Sequence, residues 1–378
     1  MFLSPDSPNS ANGFGQSIAV LGDTVLIADP FTTGGGKVYQ FNANTGSLVK
    51  TITNPTPFEG DRFGWSIATY NGDILIGAPF DGSVPNQAPR HYGAAYLFDG
   101  ATGGLKQTFI APGSRSSIDQ FGWSVTAVDG AVVIGSEYRG AAMYNPTNGN
   151  LIRNFPNPST QSSSFYGEQV FGVGNSVLIA APQEPEGNLD DGRVYRFNIQ
   201  NGSLERVYDE AVGAGGNRFG HAMTAVNGKV LIGDPHSYDS GSAYLYDIAT
   251  GALLRTFPKQ NPSERTFYGE SVALVGSLAV VSAVSFQDPG AAYVFNIDSG
   301  TLALTIREPL GRDEGFGDAM ATLGGDLLVG SPSQGSGAGA VYLFEVVAVP
   351  EPSSFVLSGI GTVVIILAFG RHRRAACC

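Results

Sequence analysis

Cysteine is nearly absent: the 378-residue chain has two, Cys377 and Cys378, both at its extreme end. The body of the chain therefore has no disulfide and no thiol chemistry to draw on. Basic charge is scarce as well. Lys and Arg total 21 against 33 Asp and Glu, a formal charge of -12 with a pI near 4.7, which argues against nucleic acid as a partner because phosphate binding needs a basic patch. No long stretch has a 3.6-residue apolar period, so helices are not expected, and the low charged fraction fits a secreted β domain. The four histidines are His91, His221, His236 and His372. None but His221 and His236 come near one another, and those two sit in different runs of one repeat, so surface or loop histidines are the favoured reading over metal ligands. No GxSxG, HExxH or phosphate-cradling glycine loop stands in a strand-turn-helix context, so no catalytic residue and no cofactor is assigned. An export leader is missing too: Met1-Phe2-Leu3 runs directly into a Pro/Ser/Asn loop, which suggests that Met1 is an internal methionine of a longer chain.

What the chain has is repetition. A Phe-Gly or Tyr-Gly step recurs at Phe14, Phe63, Phe121, Tyr166, Phe219, Tyr268 and Phe316, with spacings of 49, 58, 45, 53, 49 and 48 residues. Each step opens a four-part phrase. From Phe63 it reads FGWSIAT, a turn at Asn71-Gly72, DILIGAP to Pro79, a variable loop, AAYLFD to Asp99, a turn, and LKQTF to Phe109. Four short Val/Ile/Leu/aromatic runs per unit, bounded by Gly, Asn, Asp or Pro, read as strands. At this period they predict a propeller of four-stranded antiparallel blades, seven in all.

The second run (VLIAD from Val25, ILIGA from Ile74, VVIGS from Val132, VLIAA from Val177, VLIGD from Val230, LLVGS from Leu327) is apolar without alternation, the pattern of a strand buried on both faces. The third run places two aromatics two apart, as in Tyr39/Phe41, Tyr96/Phe98, Tyr195/Phe197, Tyr244/Tyr246, Tyr293/Phe295 and Tyr342/Phe344. These share a face and should pack on a neighbouring blade. Repeat three has Ala142 and Tyr144 instead, so thinner packing is expected there. Between first and second runs stand Gly22-Asp23, Asn71-Gly72, Asp129-Gly130, Gly174-Asn175, Asn227-Gly228 and Gly324-Gly325, residues that accept the positive φ of tight hairpins.

The Phe-Gly steps together with Gly77-Ala78-Pro79 and its near-copies Ala180-Ala181-Pro182, Gly233-Asp234-Pro235 and Gly330-Ser331-Pro332 resemble the FG-GAP repeats of the integrin α-subunit propeller, over about residues 2 to 346. Many members of that family hold calcium in a DxDxDG-type loop between the first two strands. The hairpins here are too short for one, so no metal is carried over. An acidic loop with Glu184, Glu186, Asp190 and Asp191 could hold calcium, but a solvated loop is the favoured reading.

Both ends of the chain carry information. Repeat seven stops at Val347 without a fourth strand, and Phe2 precedes Phe14 by 12 residues as Phe109 precedes Phe121. Residues 2 and 3 are therefore expected to complete the last blade beside the strand of Tyr342 and Phe344, closing the ring and removing free edges. After the propeller (1–347) comes a linker (348–354) containing Pro350-Glu351-Pro352, an apolar stretch (355–370) and a basic tail (371–378) with Arg371, Arg373 and Arg374. That order resembles a PEP-CTERM sorting signal, the substrate of an exosortase. The resemblance implies cleavage at the motif by an exosortase-like enzyme. The apolar stretch is short for a full span and suits a transient inner-membrane anchor, with the arginines as the cytoplasmic stop and the propeller outside.

Loops joining strands two to three and four to one lie on one face of such a disc and are long and varied here. Variable loops on a rigid scaffold are where binding usually resides. The expected role is an exported, non-enzymatic surface or matrix-associated binding module, with extracellular polysaccharide or a surface protein as partner. The alternative is a polysaccharide-active enzyme of the envelope, which clustered Asp, Glu, His or Tyr in the central channel would favour.

Overall fold

The computed structural model describes residues 1–6, 13–82, 92–113, 119–159, 164–186, 189–190, 192–210, 218–235, 241–261, 266–285, 290–309, 315–332, 339–348 and 364–367. Seven antiparallel sheets, the blades, follow one another along the chain, each a simple meander. Blade 2 is representative, with strands Ser66–Tyr70, Asp73–Ala78, Ala94–Asp99 and Leu105–Ile110. The first strands are innermost. They touch in sequence round a ring, and that of blade 7, Met320–Leu323, returns to that of blade 1, Ile18–Leu21. The fourth strand of blade 7 is Phe2–Leu3, with Phe2 opposite Val341 and Leu3 opposite Ala340 on the strand Ala340–Ala348. Closure at the expected place is thus observed, and Phe2 is buried against Phe41 of blade 1 at a ring separation of 5.4 Å.

The second strands are buried along both faces, as at Asp73–Ala78 and Ser176–Ala181. Each of the seven interfaces between adjacent blades has its own hydrophobic cluster. Between blades 1 and 2, Leu26, Val38 and Ile52 meet Ile74, Ile76, Tyr96 and Phe98 around Phe63. The aromatic pair of the third strand therefore faces the preceding blade, as its spacing predicted. Burying a Phe of this kind contributes roughly 1.5–3 kcal/mol.

The two halves of the repeat meet physically. In blade 2 the Phe-Gly step is a turn, with the Trp65 N–H donating to Arg62 O at 3.0 Å and Gly64 at φ +95°, the geometry of a type II turn that requires Gly at its third position, and the same bond closes the step in blades 1, 3, 4, 5 and 7. The Gly64 N–H then donates to Gly77 O of the second strand at 3.0 Å, and equivalent bonds run from Gly15 to Ala28, Gly167 to Ala180, Gly220 to Gly233 and Gly317 to Gly330. Gly77 in turn lies against the next blade, where a Cβ would stand 2.0 Å from Gly122 O. The serine that follows locks the same contact: Ser66 Oγ donates to Gly122 O at 3.0 Å, and Ser17 Oγ to Gly64 O at 2.8 Å.

Turns of two residues join all first and second strands, with Asn71 and Gly72 at φ +46° and +88°. The expected turn between strands three and four is closed by a side chain: Asn42 Oδ1 accepts from the Asn44 and Thr45 N–H groups. Basic side chains of the preceding blade's outer strand clasp this turn, as Arg153 does on Gln200 O at 2.9 Å and Arg206 on Ala249 O at 3.1 Å.

The sorting-motif residues Pro350, Glu351 and Pro352 and the basic residues Arg371, Arg373 and Arg374 lie outside the described residues. Of the stretch 355–370, Val364–Leu367 is described, as a strand with Ile366 opposite Val346. Among the described residues no helix is long and apolar enough to cross a membrane.

Candidate functional site

Seven equivalent positions follow the Phe-Gly steps, one per blade, at the mouth of the central channel on the loop-rich face. They are Gln16, Trp65, Trp123, Glu168, His221, Glu270 and Asp318. Because the turn fixes the backbone at each step, these side chains come together although about 50 residues separate neighbours in sequence.

Five of them form a polar arc. His221 bridges two carboxylates, with Nδ1 3.1 Å from Glu168 Oε1 and Nε2 3.1 Å from Glu270 Oε1. Arg218 pairs with the same Glu168 oxygen, and Gln16 Nε2 donates to Asp318 Oδ2 at 2.6 Å across the blade 7 to blade 1 junction. Burial opposes a charge on His221, but the Glu270 carboxylate and the hydrogen bonds to Glu168 and Glu270 outweigh it and lift the imidazole to about 9. At neutral pH both ring nitrogens therefore donate. Burial would raise Glu270 also, yet the charge and hydrogen bond of His221 hold it below the usual carboxylate range. Asp318 is pushed the other way, to about 7, by burial and by the Glu270 charge, against the Gln16 hydrogen bond. Glu137, at the end of the GAP-like run of blade 3, rises to about 7 through burial and the Glu168 charge.

Opposite lies an aromatic arc. The chain has two tryptophans, and both stand in this ring, with Trp65 and Trp123 centroids 4.9 Å apart. Phe31 flanks Trp65 at 6.4 Å and Phe80 flanks Trp123 at 6.2 Å. The Arg62 guanidinium sits 4.0 Å over the Phe31 ring. One side of the mouth thus offers half-buried indole surface and the other a set of charge-balanced donors and acceptors.

His221 stands in the turn before the strand Ala222–Val226 with both ring nitrogens bonded, as a satisfied loop histidine, but it is largely buried at the centre of the arc and not a surface residue. His91, His236 and His372 fall outside the described residues. Glu184 is likewise not part of a solvated loop. It is buried, accepts from the Tyr195 hydroxyl at 2.6 Å and pairs with Arg193 at 3.3 Å. Glu186 and Asp190 belong to a pair of two-residue strands, Pro185–Glu186 and Leu189–Asp190, and Asp191 is outside the described residues. Among the described residues no three His, Cys, Asp or Glu side chains are grouped as a metal site. The ring residues share one place in the repeat, directly after the Phe-Gly or Tyr-Gly step, but differ in type from blade to blade.

The fold and the repeats define the class: a seven-bladed β-propeller. The FG-GAP repeat family matches residues 48–98, and the PEP-CTERM protein-sorting motif matches residues 348–374. The chain is accordingly a propeller that carries the signal for export through the cell envelope and for exosortase-type processing. No curated protein matches it. Among solved structures, the crystal structure of the computationally designed Ika8 protein is similar with a TM-score of 0.54 at 13% identity, covering 88% of this chain and 96% of that one, a likeness of fold alone.

Proposed function

We propose that the protein is a cell-surface or matrix-associated module that binds an uncharged glycan at the central ring of its loop-rich face, after transient anchoring in the inner membrane and release by an exosortase-like enzyme. The observation that carries this reading is the pairing of Trp65 and Trp123 with the Gln16, Asp318, Glu270, His221 and Glu168 arc in one ring. An indole face packs on the apolar C–H face of a sugar ring, while carboxylate and amide groups take its hydroxyls. Because His221 and Arg218 balance Glu168 and Glu270, the arc offers hydrogen bonds more than net charge, and the chain's overall -12 repels polyanions. A glycan array probed with the full chain should give a neutral saccharide whose binding falls about tenfold or more in Trp65→Ala and Trp123→Ala, the loss of one good aromatic contact. Binding unaffected by both substitutions, or none at all, would overturn the proposal.

A second reading has a specific observation behind it. The channel does contain the Asp, Glu and His cluster that favours an enzyme, and Asp318 at about 7 stands near Glu270, which is held ionised. Two carboxyl groups with opposed protonation are what acid-base cleavage of a glycosidic bond uses. New reducing ends appearing in a bound glycan, and vanishing with Asp318→Asn, would make the protein a hydrolase. An unchanged glycan would leave it a binding module.

A further inference from the structure

Blade 3 lacks the tyrosine that every other blade places at the first aromatic position of its third strand. Tyr39, Tyr96, Tyr195, Tyr244, Tyr293 and Tyr342 are all buried there. Five of the hydroxyls reach carboxylates on the loop-rich side: Tyr39 donates to Asp6 at 2.8 Å, Tyr195 to Glu184 at 2.6 Å and Tyr244 to Glu210 at 3.0 Å, and Tyr96 and Tyr342 pair with Asp81 and Glu308. Blade 3 has Ala142 at this position, opposite Ile134 just as Tyr96 is opposite Ile76. The missing ring has not been replaced by neighbouring side chains. A cleft of about 340 Å³ remains, lined among others by Ala142, Phe121, Phe155, Pro112, Ser136 and Arg139. Polar side chains still stand at one end of the cleft: Arg139 and Ser136 line it, and both hold the buried Asp119, Arg139 Nε on its carboxylate at 2.6 Å and the Ser136 hydroxyl on its carbonyl.

We infer that this cleft is a second binding site, separate from the central ring, for a small phenolic compound. The six tyrosines define the occupant, an aromatic ring packed tilted or edge-on against the Phe or Tyr of the Phe-Gly or Tyr-Gly step at 5.7–6.0 Å, with the hydroxyl of five of them directed to a carboxylate. Phe219 and Tyr244, 5.7 Å apart in a T-shaped contact, are one such pair; Phe219 also meets Tyr246, and Phe121 likewise meets Tyr144 at 5.9 Å but has Ala142 where the first ring would stand. The volume exceeds the roughly 150 Å³ that suffices to hold benzene in an apolar cavity. Arg139 and Ser136, which line the cleft, supply the hydroxyl's partners and distinguish a phenol from a plain hydrocarbon.

The probe is p-cresol, the tyrosine side chain as a free molecule, titrated calorimetrically into the full chain. Binding with a dissociation constant on the order of 1 mM is expected, typical of a ligand this small in a preformed site, with toluene at least fivefold weaker. Ala142→Tyr fills the cleft covalently, so it should abolish p-cresol binding and raise the melting temperature. Ala142→Leu occupies it with less demand on fit and serves if the tyrosine variant fails to fold. Equal p-cresol affinity in the wild type and in a folded Ala142 variant, or no binding by the wild type at 10-fold that concentration, about 10 mM, would overturn the inference.

Discussion

His221 is the residue whose surroundings most clearly exceed what its sequence position announces. It holds Glu168 and Glu270 apart by donating to both, and Glu168 is almost wholly buried. Its folded pKa, about 9, lies above the ordinary 6.5, so its contribution to stability is complete below about 6.5 and is lost as pH rises through 9, where two carboxylates are left facing a neutral ring. Asp318 and Glu137, each raised to about 7, contribute in the same sense at lower pH: their stabilisation is full below the usual carboxylate range and gone above 7. Melting temperature should accordingly fall in two steps, one from about 4 to about 7 and one from about 6.5 to about 9. His221→Gln should remove the upper step, keep the lower one, and cost about 3 kcal/mol at neutral pH because a buried carboxylate loses its charged partner. A pH series of thermal melts that shows the upper step unchanged in the variant would refute this assignment.

At the scale of the strand, glycine does two different jobs that a substitution can separate. Gly72 lies in a hairpin at φ +88° with open space where a Cβ would go, whereas at Gly77 a Cβ would meet Gly122 O at 2.0 Å and Ser66 Oγ at 2.3 Å. Gly72→Ala should cost about 1 kcal/mol, the strain of a left-handed conformation. Gly77→Ala must push two blades apart and should cost about 3 kcal/mol, the upper end of the range for overpacked cores. Similar losses for both in denaturant titrations would mean that the blades yield more easily than their contacts imply. The contrast also explains what could be read in advance. Strands, hairpins and ring closure were legible because each is written in local pattern: apolar runs such as Ile74–Ile76, Asn-Gly turns, the spacing of Phe2 to Phe14. The thin packing at Ala142 was legible as a departure from a sixfold pattern. The central ring was not, because its members come one from each blade, differ in type, and gain their chemistry only from partners such as Glu168 and His221 that lie 53 residues apart.

The whole molecule is a ring closed by its own N-terminal residues, with both the first strand and the chain's exit toward residue 348 on blade 7. None of the seven interblade clusters includes a residue beyond Val346. A cut at Pro350-Glu351-Pro352 would therefore release a propeller with every described core contact in place, and the short pairing of Val364–Leu367 with Glu345–Ala348 is all that it would lose from the described residues. Sorting by cleavage is compatible with this fold for that reason: the processed product is as complete as its precursor. In a host that carries an exosortase, with an export signal placed before the chain, the surface fraction should contain a protein ending near Pro352. Replacement of Pro350, Glu351 and Pro352 by alanine should leave the full-length chain in the membrane fraction with an unaltered melting temperature for the propeller. Intact-mass measurement separates the outcomes: a wild-type surface product that still extends to Cys378 would rule out release at the motif and make the tail a permanent anchor.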